Sequence, residues 1–442
     1  MITDILDAER GAADQDVFVD LLHKELLVAM GCTEPAAVAL AAASARRVLG
    51  VPPETVLVRA SRNIIKNAMN VGIPNTALKG ISVAAALGLE NADPAAGLNI
   101  LSHITPDQEQ AASRMLDSCC IKLEQAEHVP PIFIEVRLQA GERVITARVQ
   151  DEHNKVEVFD GDKRISAALS EAEKYPEILT PSRIFAFTDS VPLEKIEFLI
   201  HCAEVNLELA EYSIKTGYGI GVGKTMFEGS AASGEGSLFY RGASLAAAAS
   251  DARMAGCSKP VVINSGSGNQ GITVSVPVLV LAQGLKRSRD ETARALCLSQ
   301  LCALMMTARK DRLSALCGAF TAAIGTGAGF VRLLGGDKQA LMRCIQNMVG
   351  NLMGIICDGA KGSCALKIFT CVEAAELGAK LAMAGNSVPE SEGILGNTLE
   401  DTLDIVEKLS HEGMIPLDKI ILKIMLEKSN SSLKNHKEYN YE

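Results

Sequence analysis

A chain of 442 residues, 48% hydrophobic and 22% charged, exceeds the roughly 250–300 residues at which a single core stops growing, so two domains or one elaborated fold are expected and wholesale disorder is excluded. A formal net charge of −10 with no basic run leaves nothing to neutralise a line of phosphates, which excludes nucleic acid as a partner. The first fifteen residues lack the basic and apolar regions of a signal peptide, so the location is expected to be cytoplasmic and the twelve cysteines to be core filler, metal ligands or reactive thiols rather than disulfides.

In chain order, Asp16 to Leu49 reads as two helices broken at Met30-Gly31-Cys32-Thr33-Glu34-Pro35. Pro35 suits the first helical position. That puts Thr33 or Glu34 at the cap and Cys32 just before a helix N-terminus, where the dipole would acidify an accessible thiol. Thr55 to Ala60 alternates like a strand. It leads into an amide-rich stretch, Ser61 to Thr76, in which four asparagines stand with Arg62 and Lys66. Asn63, Lys66 and Asn67 are candidates for holding a small zwitterion, and a turn-rich connector is the competing reading. Residues 77–127 read as helical. Pro131 to Leu138, Arg143 to Gln150 and Lys155 to Phe159 alternate apolar and polar residues between turns, the pattern of an antiparallel meander.

From Leu193 the period is helical over 193–214, 235–256, 287–310, 338–357 and 364–384. Lys259 to Gly284 reads instead as extended structure around a glycine loop. Leu313 to Val331 carries no charge and is long enough on paper to cross a bilayer. Gly325, Gly327 and Gly329 would break a helix there, so a buried segment running into a loop is expected, without a membrane partner. Beyond Gly385 come two more helices and a polar tail, Ser429 to Glu442. The fold class is α+β and mainly helical: residues 1–190 with a small antiparallel β-meander, residues 191–428 mainly helical, and residues 429–442 as tail.

Two glycine motifs invite phosphate readings. Gly217 to Thr225 has Tyr218 where a phosphate loop needs glycine, and reads as an inter-domain hinge. Gly266-Ser267-Gly268-Asn269-Gln270-Gly271 has dinucleotide spacing, but the β-branched Ile272 to Pro277 argues against the helix that must follow. Its amides, with Ser267 and Asn269, can equally cradle a carboxylate. Cys357 and Cys364 bracket the short polar loop Asp358-Gly359-Ala360-Lys361-Gly362-Ser363, and Cys317 lies upstream. Cys119, Cys120, Cys202, Cys257, Cys297, Cys302, Cys344 and Cys371 read as small buried hydrophobes. Three thiolates without a fourth ligand are either an accidental grouping or an open metal site, since a fully ligated electron-transfer cluster uses four.

Gly31 to Pro35, Gly266 to Ile272, and Cys357 to Cys364 with Cys317 upstream together resemble the L-cysteine desulfidase family, in a bacterial branch related to the alpha chain of iron-sulfur L-serine dehydratases. The likeness spans nearly the whole chain. It implies a [4Fe-4S] cluster held by Cys317, Cys357 and Cys364, and a reactive Cys32. It also implies a lyase that releases sulfide from the small amino acid L-cysteine, giving pyruvate and ammonia, with a homodimer as the expected assembly. L-serine or L-threonine dehydration by the same open-iron chemistry is the nearest alternative. A pyridoxal-phosphate lyase and a cluster-bearing sensor are more distant ones.

Overall fold

The computed structural model describes residues 16–91, 93–118, 120–166, 178–233, 236–310, 312–390 and 392–438, and Cys119 falls outside them. The first stretch contains helix α1 (16–25), strand β1 (Val28–Met30), α2 (Thr33–Leu49), β2 (Thr55–Ala60), α3 (Arg62–Ala68), α4 (Ile81–Asn91) and α5 (Pro106–Asp117). Strands β3 (Ile121–Gln125), β4 (Phe133–Ala140), β5 (Arg143–Gln150), β6 (Val156–Asp160) and β7 (Lys163–Ser166) follow. The expected meander is β4-β5-β6. It is extended by β7, and by β2 and β3 on its other side, in the order β3-β2-β4-β5-β6-β7, with β2 parallel to β3 and antiparallel to β4. Strand β3 lies in the stretch expected to be helical; its five residues alternate too briefly to stand out from the helices before them.

Alternation gives the sheet one apolar face. Val56, Val58 and Ala60 stand opposite Leu138, Val136 and Ile134, and all are buried, as are Ile145, Ala147 and Val149 of β5. Alanine-rich α2 and α4 cover that face. Their close approach depends on Gly88, where a Cβ would lie 2.2 Å from the Ala39 carbonyl oxygen. On the opposite face Glu135 takes Arg59 at 3.0 Å and Arg148 at 2.7 Å. Burial pushes this carboxyl up, but the hydrogen bonds from Arg148 and Arg59 outweigh it and hold the pKa below its ordinary value.

The helical part comprises α6 (Pro181–Ser190), α7 (Leu193–Ile196), α8 (Phe198–Thr216), α9 (Val222–Ser233), α10 (Leu238–Met254), strand β8 (Pro260–Val262) and α11 (Gly268–Gly284). It continues with α12 (Arg289–Ala308), α13 (Gly318–Leu333), α14 (Lys338–Leu352), α15 (Ser363–Met383), α16 (Leu399–Lys408) and α17 (Met414–Glu438). Helix α17 thus runs through much of the segment expected to be a tail. Strand β1 pairs antiparallel with β8, and α1 packs into the helical core rather than onto the sheet. The fold is α+β and mainly helical, as expected. Among the described residues no helix is long and apolar enough to cross a membrane.

Three expectations are corrected here. Ile272 to Pro277 is helical, within α11, because the helix is buried all round and therefore shows no amphipathic period. Pro277 cannot donate to the Thr273 carbonyl, and Thr326 Oγ1 of α13 donates to it instead at 2.7 Å. The glycines of α13 do not break it. A Cβ on Gly325 would lie 2.3 Å from the Ser299 carbonyl oxygen, and one on Gly329 2.7 Å from Val278, so they bring α13 against α12 and α11. The loop lies before this helix, not after it. Finally, the Gly217–Thr225 stretch is no inter-domain hinge: it joins α8 to α9 inside one core, and the buried Asp251 carboxylate accepts the Gly223 N–H at 3.0 Å.

Two measurements check this packing. Gly325→Ala should lower stability by about 1–3 kcal/mol in urea unfolding, because backbone must move. Gly229→Ala, in α9 where no atom lies within 4 Å of a Cβ, should be neutral or gain up to about 1 kcal/mol. The depressed Glu135 pKa means that its network stabilises above the unfolded carboxyl pKa and that this is lost as pH falls through the folded value. Glu135→Gln should therefore lower urea stability at pH 7 and have almost no effect in strong acid.

Candidate active site

Four helices begin on one cavity of about 90 Å³, lined by Thr33 and Glu34 of α2, Ser267, Asn269 and Gln270 at the start of α11, Cys317 and Gly318 at the start of α13, and Cys364 and Lys367 of α15. Each N-terminus contributes unsatisfied N–H groups and a partial positive charge. Ser267 caps α11 through Oγ to Gln270 N, whereas the N-cap residues of α2 and α13 are Cys32 and Cys317, neither of which makes a side-chain cap. Cys32 is thus itself the cap, one or two residues earlier than the proline rule places it, with Pro35 inside the first turn.

Two loops bring the thiols together. A short antiparallel bridge between Leu316 and Ile356 is tied by Cys317 N to Ile355 O (3.0 Å) and Cys357 N to Ala315 O (2.7 Å). The chain then turns through Gly359 at φ +95°, where a Cβ would meet the Lys66 carbonyl oxygen at 2.2 Å, and enters α15 with Lys361 N 3.5 Å from Cys364 Sγ. Cys317, Cys357 and Cys364 all reach the cavity wall. The hydrogen bond from Cys317 holds Cys357 below the ordinary thiol pKa against the effect of burial, helped by the Lys66 charge, and the same bond raises Cys317. Burial raises Cys364.

Among the described residues no group of His, Cys, Asp or Glu is arranged to hold a single metal ion. A cubane cluster asks for something different, because each thiolate binds a separate iron. Three thiols from two loops facing one cavity fit that need, as do the surrounding helix N-termini and the buried, unpartnered Lys361 ammonium, which favour an anionic group.

Cys32 is buried beside Cys364, Val71, Met254 and Ala360. Its thiol is pushed up to about 12, since burial outweighs the Arg253 charge. The acidic cysteine expected at a helix end is corrected accordingly.

The cavity carries both signs of charge. Glu34 is buried, accepts Asn67 Nδ2 at 2.8 Å, and lies 3.1 Å from Thr33 Oγ1, which donates to Gly266 O at 2.7 Å. Arg253 is buried, with Nε donating to Gly31 O at 3.2 Å. Gly268 is obligatory beside it, as a Cβ would lie 2.3 Å from that Nε. Asn67 Oδ1 and Asn269 Oδ1 are buried acceptors without a partner. Of the residues marked in the sequence, Asn67, Ser267 and Asn269 line the cavity; Asn63 and Lys66 do not. Asn63 donates to Leu313 O at 2.8 Å, and Lys66 pairs with Asp418 at 2.5 Å while donating to Cys357 O at 3.2 Å. Arg253 went unmarked because it sits in a helix whose alanines carry no functional signal. Glu34 was read only as a cap.

Residues 95–423 match the serine dehydratase alpha chain family, a span that takes in Arg253 and the three cavity cysteines. The chain belongs to that family. Over nearly its full length it is similar to the UPF0597 protein of Oleidesulfovibrio alaskensis, at 40% identity across 93% of this chain and 98% of the relative. The UPF0597 proteins of Porphyromonas gingivalis (38%, covering 94% and 99%) and Clostridium perfringens (37%, covering 95% and 100%) are comparable.

The Lys66–Asp418 pair, 1% and 7% exposed, yields a prediction. Lys66→Met strands a buried carboxylate and should cost about 3–5 kcal/mol in urea unfolding. Replacing both partners, Lys66→Met with Asp418→Leu, should recover most of that loss.

Proposed function

We propose that the protein is an iron–sulfur-dependent lyase of the serine dehydratase type that eliminates sulfide from L-cysteine, leaving aminoacrylate that hydrolyses to pyruvate and ammonia. The observation that carries this reading is a small cavity lined at once by three thiols, by the Arg253 cation and by the Glu34 carboxylate. Cys317, Cys357 and Cys364 would hold a [4Fe-4S] cluster, which would supply a Lewis acid for the leaving β-substituent. Soft iron–sulfur chemistry matches a departing thiolate.

The chain's own residues do the rest. Arg253 and the free N–H groups at the start of α11 bind the substrate carboxylate. Glu34, with the unpartnered amide oxygens of Asn67 and Asn269, accepts the ammonium hydrogens. Orientation by these groups aligns the Cα–H and Cβ–S bonds for elimination, in which the Glu34 carboxylate takes the Cα proton as the C–S electrons leave with sulfur. Cys32 packs against Cys364 rather than lining the cavity; it holds its proton at neutral pH and gives it only to a more basic group, the sulfide dianion left when the C–S bond of a bound cysteine thiolate breaks, so it acts as an acid rather than as the thiolate base an exposed helix-end cysteine would be. The buried walls exclude water until the product leaves.

The second reading is dehydration of L-serine or L-threonine, favoured by the family's description. Turnover by anaerobically purified protein separates the two, with pyruvate from cysteine expected to form faster than from serine; the reverse order overturns the substrate assignment. Cys317→Ala, Cys357→Ala or Cys364→Ala should lose iron and acid-labile sulfide together. Cys32→Ala should keep the iron and lose about 10²-fold or more in kcat. Arg253→Ala should raise KM for cysteine about tenfold or more. An iron-free preparation that is fully active would sink the cluster reading altogether.

A further inference from the structure

A second cavity, of about 290 Å³, lies on the far side of α3 from the first. It opens between the start of α3, the 128–131 loop, the loop before α13 and the start of α17. Its polar lining includes Arg62, Asn63, His128, Ser314, Ser410 and Asp418. None of these lines the first cavity.

The polar groups on this wall are satisfied unequally. Asp418 is already neutralised by Lys66 at 2.5 Å. Ser314 and Ser410 satisfy each other at 3.2 Å, and Ser410 Oγ donates to Lys310 O at 3.1 Å. Arg62 Nε and Nη1 are buried and meet no acceptor. Burying guanidinium N–H groups without a partner is costly, and an oxyanion is the partner that best offsets it.

We propose that this cavity binds a small metabolite through its oxyanion, a carboxylate or a phosphate, with Arg62 as the principal contact. The proposal does not rest on the reaction assigned to the first cavity. The site has a route to it nonetheless. Asn63, next to Arg62, donates to Leu313 O, and Lys66, one turn on, donates to Cys357 O and reaches Ser314 O at 3.5 Å. An occupant that orders the start of α3 therefore orders the segment leading to Cys317 and the carbonyl of Cys357, and any such coupling must be reciprocal.

The experiment is titration calorimetry of the full chain with inorganic phosphate and, separately, with pyruvate, which distinguishes the two oxyanion classes. At least one probe should bind one-to-one. Arg62→Ala should weaken that binding about tenfold or more, Arg62→Lys should restore part of it, and Arg253→Ala should leave it unchanged. Hydrogen exchange on the unaltered protein provides a readout that needs no variant: the probe should slow exchange at 61–64 and 312–316. The proposal is overturned if neither probe binds at millimolar concentration, if binding survives Arg62→Ala, if Arg253→Ala abolishes it, or if protection appears only at 266–270.

Discussion

Four helix N-termini pointed at one small cavity make an electrostatic demand that the protein must meet. The partial positive charges of α2, α11, α13 and α15 add where they converge, in a space with little water to screen them. Left to themselves they would repel. What they favour is negative charge, and two of the four are capped not by an oxygen but by a cysteine. The three cavity thiols and the Glu34 carboxylate draw on the same field. The rest of the structure keeps these ends together: the sheet packs α2, α3 and α4 into one body, and the all-round burial of α11 and α13 fixes the other two starts.

The parts of this that were legible in the sequence are those with a short period or a tight local rule. The β4-β5-β6 meander shows in its alternation and its turns, and the long helices α8, α10, α12, α14 and α15 in their 3.6-residue period. The cysteines around Gly359 show because a polar glycine loop inside apolar helix is anomalous, and Cys317, Cys357 and Cys364 do meet on one wall. Helix α11 was hidden by its own burial, since a helix apolar on every side has no face to betray it and its β-branched residues imitate a strand. Helix α13 was obscured by glycines whose reason lies in neighbouring helices. The acidity of Cys32 misled for a related reason: a helix end is visible in sequence, but the desolvation that overrides it is not. Arg253 and Glu34 needed partners from distant segments before they could be recognised as a pair.

The loop that carries Cys357 also shows how little freedom the site has. Gly359 lies against the backbone of Lys66, the Lys66 side chain reaches the Cys357 carbonyl, and Asn63 holds the Leu313 carbonyl. Helix α3 is thus a strut between the sheet and both cysteine loops. Its asparagines and lysine look, in sequence, like ligands for a small molecule. In the fold two of them are occupied by the protein itself, and only Asn67 turns toward the cavity.

The Lys66–Asp418 pair also bears on the order in which the protein is made. Its partners lie 352 residues apart, and the acidic one belongs to α17, which is synthesised long after α3. Until Asp418 emerges, Lys66 has no counter-charge, and both cysteine loops lack the fastening that their shared strut provides. The site is therefore completed late in synthesis: the two cysteine loops are fastened only after α17 has docked.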